Sequence, residues 1–455
     1  MSQTSDSGSS KPVPPSGKGH VFQAPTGTRD FYPAELARLR YIQDAWRKTS
    51  INHGFDEIDG PTFEHLDLYT VKSGEGIVSE LFSFERFGGE KTFALRPEFT
   101  PTLARMYASK AASLPKPTKW FWMQNCFRAE RPQRGRLREF WQWNCDVMGI
   151  GSPEEDAEVI ACCIGVLQTL GLTPQDVRVR VGDRNAATRV VQACLSDHTK
   201  LIDAFNLLDK FDKLPAAEAQ RIASGIGFQL DRYEALSKRV GASFSEALYD
   251  DILGVMLEEG SDNEVSFDRT GAVFAYLRDA GLADWIEPDL SIVRGLAYYT
   301  GMVFEVHEAS GAERAIAGGG RYDKLIEMFG GPPTPAVGFG MGDVVLSLVL
   351  ADKGLMPADD AIAEKLGLRP DALVVSNGTP EADGAVARVV ADLRRAGLHA
   401  RRSTKKIGKA MQDAAKVRAR FCVILESATQ ATVKDMGTQE QAGCGVGELA
   451  ARVKR

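Results

Sequence analysis

The chain has 455 residues, of which 44% are hydrophobic and 25% are charged, and its formal net charge is −6. This length predicts two to four compact units, and the composition is that of a globular protein rather than a fibrous or disordered one. A negative net charge excludes attraction of polyanions by the molecule as a whole, so any contact with nucleic acid has to use local basic patches.

The sequence has no apolar stretch of about 18 residues, the length that a membrane-spanning helix needs. Its first twenty residues also lack the apolar segment of a secretory signal. We therefore expect a cytoplasmic protein without a membrane span. The seven cysteines are scattered and lack metal-ligand spacing, which predicts reduced packing thiols and no metal held by protein side chains.

The predicted elements begin after a polar tail. Residues 1–20 are rich in Ser, Gly, Lys and Pro and have few apolar side chains, which predicts disorder. Apolar residues recur at helical spacing over 33–53, and 55–58 is typical of a short strand. Alternating, aromatic-rich segments at 119–123 and 140–148, separated by a basic turn, predict an antiparallel hairpin.

The next segments predict a helix over 154–170 and a strand over 177–181. Residues 186–287 have helical patterns nearly throughout and no recognisable chemistry, so we interpret them as an inserted helical unit. Strand patterning resumes over 296–306, and 346–350 is typical of a buried helix.

The C-terminal part follows a connector, residues 354–370, that proline and glycine interrupt. After it, strand and helix patterns alternate. This alternation predicts a small α/β unit with a mostly parallel or mixed sheet, with strands at 372–375 and 421–424 and helices at 385–397 and 407–417.

The first chemical cluster is the pair Glu98 and Thr100, which lie two residues apart. On a strand or turn, the two side chains would converge and could hold a substrate ammonium group. The alternative is a helix that begins after Pro97, with Glu98 as a surface charge.

The second cluster lies on the predicted hairpin. Arg128 stands in an otherwise apolar strand, where a guanidinium needs an anionic partner, either a nucleotide phosphate or a buried carboxylate. Gln142, Asn144 and Asp146 alternate along the second strand and therefore project from one face. Three polar side chains among aromatic residues indicate a pocket wall.

The third and fourth clusters combine arginines, tyrosines and glycines. Arg294 precedes Gly295 at the start of a predicted strand, and Tyr298 and Tyr299 follow with hydroxyls that can hydrogen-bond a polar ring. Glycine runs come later, between residues 318 and 342. Their spacing fits neither a dinucleotide-binding motif nor a phosphate-binding loop, and such runs can also be simple turns.

Five motifs in one order resemble the histidyl-tRNA synthetase family, from about residue 27 to the C-terminus: 27–30, 95–100, 127–142, 294–305 and 318–342. The resemblance implies a class II synthetase fold. This is an α+β catalytic domain with an antiparallel sheet flanked by helices, a helical insertion, and a C-terminal α/β anticodon-binding domain. The implied boundaries are 1–20 for the tail, 21–185 with 288–353 for the catalytic domain, 186–287 for the insertion, 354–370 for the linker and 371–455 for the anticodon-binding domain.

The resemblance also implies the activity of a histidine–tRNA ligase. Such an enzyme activates L-histidine with ATP, which carries Mg²⁺, and transfers the histidine to the 3′ end of its tRNA. Members of the family are homodimers, and we expect the same here. Because an imidazole pocket leaves polar groups unpaired around a wrong side chain, no editing domain is expected.

Residue roles follow from the matched motifs. Arg294 and Arg128 are implied to be catalytic, on two sides of the α-phosphate. The implied histidine-binding residues are Glu98, Thr100, Gln142, Asp146, Arg294, Tyr298, Tyr299 and Tyr322. The implied ATP-binding residues are Arg128, Glu130, Arg136, Arg294 and Arg321. The expected tRNA contacts lie in two basic segments that could equally be solvated surface, and are Gln133, Arg134, Arg138, Lys405, Lys406, Lys409 and Lys434.

Two positions depart from the family pattern. Val345 stands where class II enzymes usually have an arginine that contacts the distal phosphate, so Arg136 with a neighbour such as Arg321 has to compensate, or ATP binds more weakly. Ala297 replaces an acidic residue beside the tyrosine pair. The main alternative function is a catalytically silent paralogue that serves as a regulatory subunit of ATP phosphoribosyltransferase; another class II synthetase is a third reading.

Overall fold

A computed structural model of the protein describes residues 22–73, 75–208, 211, 214–242, 265–289, 292 and 299–454. Its first elements, in chain order, are α1 (Pro33–Asn52), β1 (Asp56–Glu57), β2 (Phe63–His65), α2 (Leu66–Ser73), β3 (Ser83–Glu85), β4 (Thr92–Leu95), α3 (Thr100–Ala108), β5 (Thr118–Phe127), β6 (Glu139–Met148), α4 (Pro153–Thr169) and β7 (Val177–Asp183). The predicted tail, 1–20, lies outside the described residues.

The remaining elements fall into two groups. The middle group contains α5 (Arg184–Ala193), α6 (Leu201–Leu208), α7 (Ala216–Gly225), α8 (Leu230–Ala242), α9 (Val265–Asp279) and β8 (Ile286–Pro288). The last group contains β9 (Met302–Glu308), β10 (Ala317–Arg321), α10 (Leu325–Met328), β11 (Ala336–Gly342), α11 (Asp343–Asp352), α12 (Asp359–Lys365), β12 (Ala372–Ser376), α13 (Pro380–Arg395), β13 (Ala400–Arg402), α14 (Ile407–Lys416), β14 (Phe421–Leu425), β15 (Gln430–Asp435), β16 (Gln441–Gly445) and α15 (Leu449–Val453).

An eight-stranded sheet organises the larger part of the molecule, with the strand order β1-β5-β6-β11-β10-β9-β7-β8. Its six inner strands pair in antiparallel fashion, and the edge strands β1 and β8 run parallel to their neighbours. The predicted hairpin is confirmed as β5 and β6, which pair over ten residues. The prediction of an antiparallel sheet flanked by helices is therefore confirmed.

One face of this sheet packs against helices α1 and α4. Trp143 and Cys145 of β6 point into this core together with Phe339 of β11, and all three are buried. Trp46 of α1 stacks on Trp143 with ring centroids 6.0 Å apart. Burial of these large apolar side chains, at about 25 cal/mol per Å², is the main force that holds the helices on the sheet.

The opposite face of the sheet is only partly covered by apolar packing. Helix α3 and the residue before it cover the end next to β5, where Phe99 stacks on Trp122 at a centroid distance of 4.3 Å. Between β6, β11 and β10, alternate positions on this face are polar or glycine. Open space on this face is where the cavities described below lie.

Helices dominate the described part of the predicted insertion. Helices α5 to α8 share a small apolar core of their own, which includes Val191, Ala204 and Phe228. Helix α9 instead packs on α4, where Arg269 donates to Asp156 at 2.9 Å. The segment 243–264 lies outside the described residues, and the boundaries of the insertion stay a prediction.

The predicted connector, 354–370, contains helix α12, which was not expected. Ile362 of this helix is fully buried in the main core, and Asp359 at its first turn accepts a hydrogen bond from Arg38 at 2.8 Å. The role of residues 354–370 as a linker stays a prediction, and the segment contains a helix. Its central turn packs on the larger part of the molecule.

A five-stranded sheet forms the C-terminal part, in the order β13-β12-β14-β15-β16. Strands β13, β12 and β14 are parallel, and β15 and β16 continue in antiparallel fashion, so the prediction of a mixed sheet is confirmed. Ala372 and Val374 pack towards α13, whereas Leu373 and Val375 pack towards α14. Burial on both faces explains the continuous apolar run of β12.

Two further predictions concern the whole chain. All seven cysteines are buried and none forms a disulfide, in agreement with their interpretation as packing thiols. Within the described ranges, no helix combines the length and the apolar character that crossing a membrane requires.

Candidate functional site

The open face of the large sheet is polar on one strand and glycine on the next two. Gln142, Asn144 and Asp146 occupy alternate positions of β6 and point to this face. Their partners on β11 are Gly342, Gly340 and Gly338, and on β10 the matching residues are Gly318 and Gly320. The repeated glycines remove side chains from the floor of the site and leave room for polar groups and a ligand.

The space above two of these glycines is already occupied by the polar side chains of β6. A Cβ atom on Gly338 would lie 1.9 Å from Asp146 Oδ1, and one on Gly340 would lie 2.2 Å from Gln142 Nε2. Any larger residue at these positions would displace the neighbouring side chain. The glycine run is therefore part of a built site and not a series of simple turns.

The first of two adjoining cavities, which we call the polar cavity, has a volume of about 230 Å³. Its lining brings together residues from all four clusters that the sequence indicated. The polar lining side chains are Glu98, Thr100, Arg128, Gln142, Asn144, Asp146, Tyr299 and Tyr322. The buried Oδ1 atom of Asn144 has no hydrogen-bond partner among the described residues, which favours a polar ligand.

Tyr322 and Asp146 form the base of the polar cavity. The Tyr322 hydroxyl donates a hydrogen bond to Asp146 Oδ1, and both residues are about 2% exposed. Burial and the neighbouring carboxylate raise the pKa of the Tyr322 hydroxyl well above its ordinary value. Tyr322 therefore stays a proton donor at neutral pH and fixes the orientation of the carboxylate.

Glu98 and Thr100 reach the polar cavity from the start of α3. Phe99 is the residue before the helix and Thr100 begins it. The alternative of a helix start after Pro97 is thus correct for the backbone, yet Glu98 lines the polar cavity. The helix start brings a carboxylate and a hydroxyl to the same opening.

The second cavity, which we call the basic cavity, has a volume of about 260 Å³ and adjoins the first. Its charged lining residues are Arg128, Glu130, Arg136, Glu305 and Arg314. Arg136 Nη1 lies 2.9 Å from Glu130 Oε2, so one predicted ATP contact pairs with another. Three guanidinium groups on one cavity indicate a site for an anion that carries several charges.

Arg128 borders both cavities, together with Gln142 and the backbone of Gly318 and Gly340. Arg128 Nε donates to the Pro97 carbonyl at 3.1 Å, and the guanidinium carbon lies 5.3 Å from the centre of the Phe140 ring. These contacts hold the guanidinium at the junction. In the described part of the chain, this arginine has no carboxylate partner within 4.0 Å. Of the two partners that the sequence allowed, a buried carboxylate and a ligand phosphate, the structure therefore favours the phosphate.

The structure corrects the role expected for Arg321. This residue was expected to help bind ATP, but it is 2% exposed and lines neither cavity. Its guanidinium donates to Asp156 of α4 and, at 2.9 Å, to Asp323. The register of β10 gives the reason: Gly318 lines both cavities, and alternation along the strand turns Arg321 to the opposite face, where α4 packs.

Arg294 and Tyr298 lie outside the described residues, so their roles stay predictions. Glu130 and Arg136 line the basic cavity, and Tyr299 lines the polar cavity. Val345 borders the basic cavity, where its side chain is apolar.

The predicted tRNA contacts divide between two surfaces. In the loop after β5, Arg134 is 61% exposed and pairs with Glu313, whereas Arg138 donates to the backbone carbonyl of Glu130 at 3.1 Å. Gln133 forms the backbone turn with Arg136. On the C-terminal sheet unit, Lys405, Lys406 and Lys409 are exposed and Lys434 is half-buried.

Two cavity residues were missed by sequence reasoning, Arg314 and Glu305. Glu305 Oε2 contacts His307 Nε2 at 2.8 Å on the strand before the cavity. Arg314 lies in the polar loop between β9 and β10, and no periodicity marks it. The alternation of β9 was the available signal for Glu305, because it points to the same face as the glycines of β10.

Comparison with solved structures gives the class of protein. The structure of histidyl-tRNA synthetase from Nostoc sp. PCC 7120 matches with a TM-score of 0.76 and 26% identity, and covers 96% of this chain and 100% of that one. A structure titled ATP phosphoribosyltransferase regulatory subunit/histidyl-tRNA synthetase, from Bacillus halodurans, shares the fold, with a TM-score of 0.68, 22% identity and coverage of 90% and 99%. The protein therefore has the class II synthetase fold.

Comparison of sequences then gives the family. The family model described as histidyl-tRNA synthetase matches residues 27–342. A histidine–tRNA ligase from Opitutus terrae is 42% identical over 341 residues, 74% of this chain and 77% of the relative. Another from Haloarcula marismortui is 35% identical over 438 residues, 92% of this chain and 95% of the relative. The chain belongs to the histidyl-tRNA synthetase family.

Proposed function

We propose that this protein is a histidine–tRNA ligase that activates L-histidine with ATP and transfers it to the 3′ end of its tRNA. The observation that carries this proposal is the junction of the two cavities at Arg128 and Gln142. The polar cavity has the lining that an amino acid with an imidazole ring needs. The basic cavity has the cations that a nucleoside triphosphate needs. Curated relatives of matching length have this name.

In the proposed first step, the histidine carboxylate attacks the α-phosphorus of ATP, and pyrophosphate leaves. Arg128, at the junction, binds the carboxylate and the α-phosphate together and stabilises the charge that builds on the phosphorus. Arg294 is proposed to act from the opposite side. Glu98, Thr100 and Gln142 hold the ammonium group, and Asp146, Tyr299 and Tyr322 face the imidazole ring.

Mg²⁺ is proposed to enter with ATP, where it neutralises phosphate charge. The basic cavity also contains the carboxylates of Glu130 and Glu305, which are oxygen donors of the kind that Mg²⁺ accepts. The cavity therefore fits a nucleotide that carries this ion. Glu130 is also the proposed contact to adenine.

In the proposed second step, a hydroxyl of the terminal ribose of the tRNA attacks the carbonyl carbon of the adenylate, and AMP leaves. The loop with Gln133, Arg134 and Arg138 is the proposed contact to the acceptor end. Residues 371–455 are the proposed anticodon-binding domain, whose exposed lysines at 405, 406 and 409 supply contacts to phosphates.

The proposed partner for assembly is a second copy of the chain. Strands β2, β4 and β3 form a separate sheet on which Phe63 is 48% and Phe84 42% exposed. Their rings and that of Phe93 lie within 6 Å of one another. Exposed aromatic clusters of this kind mark protein interfaces. The cytoplasmic location is proposed from the sequence.

A regulatory role without catalysis is the second candidate, because Val345 departs from the family pattern. Histidine-dependent exchange of pyrophosphate into ATP separates the two. We expect exchange with histidine only, followed by charging of histidine tRNA, and a fall of about 10²-fold or more for Arg128→Ala, because a transition-state contact is removed. No exchange by the unaltered protein would rule out the ligase and favour the regulatory subunit.

A further inference from the structure

The loop between β9 and β10 contributes an arginine to the basic cavity that no sequence motif assigned. Arg314 lines this cavity with Arg128 and Arg136. A methyl group added to Gly135 would lie 3.3 Å from Val345 Cγ2 and 3.5 Å from Arg314 Cδ. Arg314 and Val345 therefore flank the same glycine from two elements, and both line the basic cavity.

The charge of ATP, the proposed ligand, indicates that the basic cavity needs a further cation for the distal phosphates. Arg128 lies at the junction with the polar cavity, which is the place for the α-phosphate. Arg136 is paired with Glu130, which offsets its charge. The β- and γ-phosphates carry most of the negative charge of ATP, and planar guanidinium groups bind phosphates with two parallel hydrogen bonds.

We infer that Arg314 binds the β- and γ-phosphates of ATP and supplies the distal cation that is absent at Val345. This inference rests on the proposed ATP site. It gives Arg314 the role that the sequence suggested for Arg321, which is to compensate for the arginine absent at Val345. Arg321 is held by the buried carboxylate of Asp156 on the other face of the sheet, whereas Arg314 lines the cavity from a loop.

Contacts on both sides of Arg314 hold its loop at the cavity. The preceding Glu313 accepts a hydrogen bond from Arg134 Nε at 2.6 Å, which ties this loop to the loop after β5. Two residues later, Ile316 is 2% exposed and its N–H donates to the Val306 carbonyl at 2.7 Å. These contacts hold the backbone on either side of Arg314 next to the basic cavity, which its side chain lines.

The test measures binding directly, by titration calorimetry with Mg²⁺–ATP and with AMP. For Arg314→Ala we expect the Kd of ATP to rise about tenfold or more, as for loss of a hydrogen-bonded charge, while the Kd of AMP stays within twofold. Arg314→Lys keeps a point charge and should fall between the two. Arg221→Ala removes an arginine from an exposed pair on α7 and should leave both constants unchanged.

An ATP constant within twofold of the unaltered protein for Arg314→Ala would overturn the inference. So would an equal rise for AMP, because that result places Arg314 at the α-phosphate or the nucleoside. The unaltered protein settles the proposed function separately: tight ATP binding without histidine-dependent exchange would sink the ligase activity, while the Arg314 assignment would still be decided by the binding constants. Lack of ATP binding by the unaltered protein would overturn both.

Discussion

Single glycines decide what the site can hold. At Gly338 and Gly340 of β11, a polar side chain of β6 lies so close that it occupies the place of a Cβ. Asp146 and Gln142 therefore lie across the neighbouring strand and not in open solvent. The orientation of these two side chains depends on an absence of atoms at Gly338 and Gly340.

Gly338→Ala is expected to weaken histidine binding. The added methyl group would lie 1.9 Å from Asp146 Oδ1, so the carboxylate and its bond from Tyr322 have to shift. Overpacking of this kind costs about 1–3 kcal/mol, and a cost of that size at the binding site would raise the KM for histidine about tenfold or more in the exchange assay.

The matched control is Gly384→Ala, on the exposed side of α13. No atom lies within 4 Å of its added Cβ, so this change should leave the KM unchanged and stabilise the helix by roughly 0.5–1 kcal/mol. A normal histidine KM in Gly338→Ala would show that Asp146 does not face the ligand.

Residue identity alone could not distinguish the two arginines that matter. Arg321 ends β10 and Arg314 lies in the loop before that strand, and either guanidinium could bind a phosphate. Alternation along β10 turns Arg321 away from the cavities, and a run of three glycines hides this alternation in the sequence. Gln142 and Asp146 were assigned to one face because β6 has a side chain at every position.

At the scale of elements, helix α4 is fastened by charge as well as by apolar packing. Asp156, fully buried, accepts from Arg321 of β10 and Arg269 of α9. Two residues further along α4, Glu158 contacts His53 Nδ1 at 3.1 Å and Lys119 Nζ at 3.0 Å. These partners lower the pKa of Glu158 to about 2, from an ordinary value of 4.5.

Glu158→Gln should destabilise the fold in a pH-dependent way. Because the folded-state pKa lies below the unfolded value, the stabilisation is fully present above about pH 4.5 and is lost as the pH falls towards 2. We expect a loss of about 1–3 kcal/mol at pH 7, since the side chain is 22% exposed, and a difference that shrinks below pH 4.5.

Chemical denaturation at a series of pH values measures this difference. Glu90→Gln, at an exposed position in the turn before β4, is the control and should change stability little at any pH. A constant loss for Glu158→Gln from pH 7 to pH 3 would mean that packing, and not its charge, explains the effect.

Long periodic segments were predicted well, and short ones were not. Helices α1 and α4 and the hairpin were predicted to within a few residues. Their apolar patterns are long, over more than two turns in each helix and over most of the two long strands of the hairpin. Helix α12 has seven residues between glycine and proline signals, so its local pattern could not outweigh them. What makes it a helix is the burial of Ile362 in a core formed by distant residues.

At the scale of the molecule, the exposed aromatic surface on the small sheet is expected to join two chains. Sedimentation of the unaltered protein should give twice the 49.6 kDa chain mass. The double variant Phe63→Ser with Phe84→Ser removes the two exposed rings and should sediment as a single chain at micromolar concentration, because aromatic anchors contribute much of interface affinity.

Ile202→Ser is the control for this experiment. Ile202 is 73% exposed on α6, away from the aromatic sheet, and its loss should not change the mass. A dimer that survives the double aromatic substitution would place the interface elsewhere, and a monomeric unaltered protein would exclude the proposed assembly.

Arg128 lines both cavities, and its proposed role predicts that the two substrates are coupled. If one guanidinium contacts both the amino-acid carboxylate and the nucleotide, binding of either ligand changes its position, and therefore the affinity for the other ligand. Thermodynamic linkage then requires symmetry: whatever factor histidine imposes on the affinity for ATP, ATP imposes on the affinity for histidine. Order of addition can alter the path to the ternary complex but not its free energy.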